Sequence, residues 1–147
     1  MKKTVAAVIF VALGLGAAIA DTHDDRSALM KANGGALKAL GEAGKAPTFD
    51  PAAAKAPAQT LIDNAAKIPA LFAPGTEAID QGALPAVWTD QAGFKASAAK
   101  LGTDAKALQG ATDAAGFATA LKTVQGDCAA CHGTYRAKPA PKPAPAQ

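Results

Sequence analysis

The sequence predicts an all-α chain folded as an antiparallel four-helix bundle. Three observations carry that prediction. The chain has 147 residues, one domain's worth, and 41 of them are Ala, the residue with the strongest intrinsic helix preference. Val and Ile, the residues that favour strands, are scarce after residue 20. Four stretches then repeat apolar residues at helical spacing, joined by short to medium connections. The same composition excludes other classes. The length leaves no room for a multidomain enzyme, and two Cys cannot staple a miniprotein. A net charge of +3 on a half-hydrophobic chain argues against disorder.

Residues 1–20 read as a secretory signal peptide. Lys2 and Lys3 give the positive start, Val5 to Gly16 the apolar run, and Ala18-Ile19-Ala20 the small-x-small cleavage pattern before Asp21. Cleavage there removes two lysines and leaves 13 basic against 12 acidic residues. A net charge of +1, with the Lys and Arg scattered, gives no case for nucleic acid or for an acidic membrane surface. Export by a Gram-negative cell means the periplasm, with no stable membrane insertion after cleavage.

The bundle domain is expected over residues 21–138. The first helix spans 21–44, opened by a Thr22-x-x-Asp25 capping box, with Arg26, Met30, Asn33, Leu37 and Leu40 on one face. Gly34 and Gly35 weaken its middle or mark a close approach by something bulky. Asp50-Pro51 opens the second helix as N-cap and first helical residue. Pro57 interrupts it as a kink or a restart. Leu61, Ala65, Ile68 and Phe72 form its inner face, Pro69, Pro74 and Gly75 end it, and 73–88 is a long connection. The third helix starts at Thr89 or Asp90 and carries Phe94, Ala98, Leu101, Ala105 and Leu108. The fourth begins near Thr112 and Asp113, with Phe117, Leu121, Val124, Cys128, Cys131 and Tyr135 on the most regular stripe of the chain. Residues 139–147 alternate Pro with small residues and read as a disordered, extended tail.

One motif carries chemistry. Cys128-Ala-Ala-Cys131-His132 is a C-x-x-C-H sequence, the attachment signature of c-type haem. Two thiols three residues apart on a helix reach two vinyl groups at one porphyrin edge, and each forms a thioether. The adjacent His is carried under the iron as proximal ligand. With no other Cys, one covalent haem c uses the whole cysteine inventory. A zinc site wants four ligands, and the exported chain has two Cys and two His in all. A thioredoxin-like pair belongs at a helix N-terminus after a strand, not near the end of a last helix. A plain disulfide leaves the His unexplained. Two serines, no phosphate loop, no H-E-x-x-H and no dinucleotide fingerprint leave enzyme chemistry without support.

The ending Cys128-Ala-Ala-Cys131-His132-Gly-Thr-Tyr135-Arg136 and the first-helix segment Arg26-Ser-Ala-Leu-Met30-Lys resemble the class II cytochromes c, over nearly all of the exported chain. The resemblance implies the bundle, with haem held near the C-terminal helix. It also implies that the Met30 position faces the open side of the iron. In the family's low-spin cytochrome c-556 branch a Met there ligates the iron; in the cytochrome c′ branch a bulky side chain shields a five-coordinate iron. Leu29-Met30-Lys31-Ala-Asn33-Gly34 resembles the former, whereas Arg26 resembles the Arg that lies near a haem propionate in the latter. Met30 as distal ligand, an open site, and His23 as ligand are therefore three distinct expectations.

The first means electron transfer to redox protein partners; the second means binding nitric oxide or carbon monoxide. Arg136 is a further candidate propionate contact. Asn33 bonds a local helix group, a backbone group or a propionate. Tyr135, Trp88 and Phe94 read as core. The family implies a monomer or a homodimer. The shortage of large side chains leads to one more expectation, that the core is completed by the cofactor and the apo chain packs loosely.

Overall fold

A computed structural model of the chain describes residues 15–79 and 82–138. The elements are α1 (Leu15–Lys45), α2 (Pro51–Leu71), a 3-10 turn (Glu77–Ile79), the single-turn α3 (Ala86–Thr89), α4 (Gln91–Gln109) and α5 (Ala114–Tyr135). The described residues hold no strand, only an isolated antiparallel bridge between Ala83 and Arg136. The four long helices α1, α2, α4 and α5 form the expected bundle.

The register can be read from named contacts. Asn33 meets Asn64, and Arg26 meets Leu71, so α1 and α2 run antiparallel. Gln109 reaches Lys55 at one end of the α2–α4 pair, and Phe72 meets Phe94 at the other. Lys100 bridges to Asp127, and Phe94 packs on Tyr135, which sets α4 against α5. The chain therefore has a closed end at the loops 46–50 and 110–113. There Leu40, Leu61, Leu108, Phe117 and Val124 are fully buried. A Cβ on Gly44 would come within 3.0 Å of the Phe117 ring, so α1 approaches α5 tightly there. Towards the other end the two helices separate, and their seam is the sparsest of the bundle.

The caps behave as the side chains dictate. Asp50 accepts from the Ala52 N–H at 2.9 Å, Asp90 from Gly93 at 3.1 Å and Asp113 from Gly116 at 2.9 Å. All the stripe residues expected on the second and third helices are buried.

Four expectations need correction. Helix α1 does not start at the Thr22 box. Its backbone is already helical at Leu15, so Asp24 and Asp25 lie in its interior and no acid lies in its first turn. Pro57 does not make α2 restart. The buried face Ala54, Ala58, Leu61, Ala65 and Ile68 is continuous across it, and that burial outweighs one lost backbone bond. Pro69 likewise lies inside the last turn rather than ending the helix. Gly34 and Gly35 are exposed, with no atom within 4 Å of a Cβ placed on either, so no protein group crowds them. Residues 1–14 and 139–147, most of the expected signal peptide and all of the expected tail, lie outside the described residues.

Candidate haem site

The seam between α1 and α5 opens into a pocket of about 460 Å³. From α1 it is lined by His23, Arg26 and Met30, and from α5 and its C-terminal cap by Cys131, His132 and Arg136. Six of the eight candidate site residues named from the sequence thus meet at one place; Cys128 and Asn33 do not line the pocket. Cys128, one turn before Cys131 on the same stripe, is half-buried.

The two thiols are free, so no disulfide competes for them. Burial first, then the Asp127 charge, raises the Cys128 thiol above its ordinary value. Burial and the neighbouring Cys128 raise Cys131. Both therefore stay protonated and quiet at neutral pH. Burial and the nearby Arg136 charge lower His132, which favours the neutral imidazole, the form that binds a metal.

The pocket's back wall is aromatic. Phe72, Phe94 and Tyr135 stack edge-to-face in series, with centroids 5.3 Å and 5.2 Å apart. Arg26, 2 % exposed, spreads its guanidinium over Phe72 at 4.2 Å, with Trp88 at 5.8 Å. Its Nε donates to the Leu71 carbonyl at 2.7 Å and its Nη2 to Thr76 Oγ1 at 2.5 Å. Arg26 is thus a buried tie from α1 to the end of α2 rather than a helix-surface charge. Trp88 is half-buried, its indole donating to the Ala73 carbonyl at 3.2 Å.

The end of α5 is pinned from two sides. Leu84 N–H donates to the Tyr135 carbonyl and Ala137 N–H to the Gly82 carbonyl, each at 2.9 Å. The Tyr135 hydroxyl donates to Asp90 Oδ2 at 2.7 Å. Gly93 makes that bond possible, because a Cβ there would fall 2.2 Å from Asp90 Oδ2 and 2.6 Å from the Tyr135 oxygen. The hydroxyl first, then the Gly93 N–H, holds the Asp90 carboxyl below the usual carboxylate range. A carboxyl lowered by folding contributes stability above its unfolded pKa and loses it as pH falls through the lowered value. Tyr135→Phe is therefore expected to lower stability at neutral pH, with the gap to wild type closing in acid. Urea midpoints measured across pH check this; a gap independent of pH would contradict it.

Asn33 does not bond locally. It is buried and accepts from Asn64 Nδ2 on α2 at 2.8 Å. His23 is exposed, beside Asp24 at 3.3 Å. Sequence reasoning missed Asn64, Thr76 and the Asp90–Tyr135 bond, since single polar residues far apart in sequence leave no periodic signal. It read Phe72 and Phe94 only as core; their place at the open ends of two stripes was the available hint that they also form a pocket wall.

The donor set fits a covalent haem: paired free thiols one helical turn apart, a neutral imidazole beside them, and an aromatic-backed gap between two helices. Among the described residues no cluster of three or more His, Cys, Asp or Glu could hold a bare metal ion. The family model for cytochrome c′ matches residues 21–136, nearly the whole of the chain beyond the expected leader. The chain belongs to the cytochrome c′ family. It is 44 % identical over 142 residues to a cytochrome c-556 of Agrobacterium fabrum, covering 94 % of this chain and 97 % of the relative. It is 36 % identical over 144 residues to a cytochrome c′ of Rhodopseudomonas palustris, covering 94 % and 99 %. A solved cytochrome c′ from Rhodopseudomonas palustris superposes with a TM-score of 0.73 at 35 % identity, covering 82 % of this chain and 98 % of that one. Members of this family carry covalent haem c for electron transfer or gas binding, and Cys128-x-x-Cys131-His132 fits a C-x-x-C-H attachment site. None of the described helices is long and apolar enough to cross a membrane.

Proposed function

We propose that this cytochrome is a periplasmic one-electron carrier and not an enzyme, with His132 and Met30 as the two axial ligands of its haem. The observation that carries the reading is the pocket itself. Met30 from α1 and His132 from α5 line the same cavity, one from each of the two helices that flank the seam. Haem supplies a reversible Fe(III)/Fe(II) couple, and a His/Met ligand pair raises its potential.

The chain's own residues hold and shield that group. Cys128 and Cys131 anchor it, Phe72, Phe94 and Tyr135 keep water from one face, and Arg26 and Arg136 offset propionate charge. Residues 1–20 act as the export signal. Cleavage before Asp21 would remove the first six residues of α1 and bring Asp24 and Asp25 close to the new helix start, where their charge suits the helix dipole. The assembly is a monomer or a homodimer, and its partners are redox proteins.

The similarity to cytochromes c′ favours a second reading, a five-coordinate iron that binds nitric oxide or carbon monoxide, with Met30 only packing. Carbon monoxide titration of the reduced protein separates the two. The first reading expects a low-spin spectrum that the gas leaves unchanged at equimolar levels. A high-spin spectrum that shifts on adding the gas would establish the second.

A further inference from the structure

We infer that the buried Asn33–Asn64 pair is a positioning device for Met30, fixing the register of α1 against α2 and with it the reach of Met30 towards His132. The inference rests on the reading of Met30 as an axial ligand. Asn33 follows Met30 by three residues, so both lie on one helix face. At this end of the bundle α1 and α5 are parted by the pocket, so the seam itself does little to hold Met30. Its placement has to come through α2, and from there through α4 to α5.

The apolar surface between α1 and α2 is poorly suited to that task. The buried residues of the two helices include many alanines, Ala36 on α1 and Ala54, Ala58 and Ala65 on α2, with Ala65 also lying against Gly102 of α4, beside the larger Leu29, Leu40, Leu61 and Ile68. Single methyl groups make shallow ridges and grooves, so a small slide or rotation of one helix on the other forfeits little dispersion energy. The amide pair is different. Asn64 Nδ2 donates to Asn33 Oδ1 at 2.8 Å, and the two residues are only 9 % and 7 % exposed. A slide by one turn strands two buried amides without each other. A buried polar contact that selects one register among near-equal apolar ones is a known physical device. On the other side of Met30, Arg26 ties α1 to Leu71 and Thr76. Met30 is therefore bracketed by two buried polar ties, one a turn before it and one a turn after.

The test uses the haem-loaded protein and the double variant Asn33→Leu/Asn64→Leu. Matched apolar residues of similar volume commonly replace a buried polar pair without loss of folding. The variant is expected to unfold at a denaturant concentration no lower than wild type. Its far-red Met–iron band should weaken, and its affinity for added imidazole should rise about tenfold, the scale of one buried hydrogen bond. Asn64→Ala, which needs no extra volume, is the second variant, with the same spectral expectation. A wild-type protein with the band, whose folded variants keep full band intensity and unchanged imidazole affinity, overturns this inference alone. A wild-type protein without the band overturns the Met30 reading and this inference with it.

Discussion

Replacing both Cys128 and Cys131 by Ala is expected to give a protein that releases all its haem into acidified organic solvent. The wild type should stay coloured through denaturation. The two cysteines are half-buried and one turn apart, and no other Cys exists to substitute for them. The double variant should also lose stability, because covalent attachment keeps the cofactor on the native state at any dilution. The consequence follows from where the bulk lies. Most of the fully buried large apolar side chains, Leu40, Leu61, Leu108, Phe117 and Val124, lie towards the closed end, whereas the pocket end has Val87 and the aromatic wall. At the open end α1 and α5 flank a 460 Å³ gap. Without a filler, α1 keeps α2 as its partner but loses its second wall. A thermal midpoint lower by roughly 10 °C and a broader transition are expected. A variant as stable and as sharply cooperative as wild type would show that the alanine-rich core is complete without haem.

The second large effect concerns Arg26. Arg26→Ala should destabilise the haem-loaded protein by about 3–5 kcal/mol, the sum of two charge-assisted bonds and a stacked contact. The side chain is the largest fully buried one among the described residues, and it binds the Leu71 carbonyl, Thr76 and the Phe72 face together. Removing it strands the Leu71 carbonyl and opens the pocket's aromatic wall. Arg26→Lys should recover little, because an ammonium cannot fork between two acceptors or lie flat on a ring. Urea unfolding of the three proteins decides the matter. A loss within about 1 kcal/mol for Arg26→Ala would reduce Arg26 to an ordinary surface charge.

Much of the fold was legible because it is periodic. Phe94, Ala98, Leu101, Ala105 and Leu108 announce a buried face by spacing alone, and Asp50, Asp90 and Asp113 announce helix starts by local hydrogen bonding. The limits were equally physical. Thr22 has the chemistry of a cap, but the apolar residues before it are also good helix formers, so α1 runs through it. Pro57 carries a local penalty that only the continuous buried face of α2 can outweigh, and that face is a tertiary fact. At the site, the attachment sequence was fully legible because its chemistry needs a fixed local spacing. What surrounds it was not. Asn33 and Asn64 are 31 residues apart, and Asp90 and Tyr135 are 45 apart. Nothing in either residue's neighbourhood names its partner.

The central claim about the site is that Met30 and His132 grip one haem across the seam between α1 and α5, and replacement of Met30 by Ala tests it most directly. The visible spectrum of the oxidised and reduced protein is recorded with and without carbon monoxide. We predict a low-spin wild type with a far-red Met–iron band, and a Met30→Ala variant that loses the band, turns high-spin and binds the gas. A variant whose spectrum and gas response match wild type would contradict the assignment of Met30 to the iron.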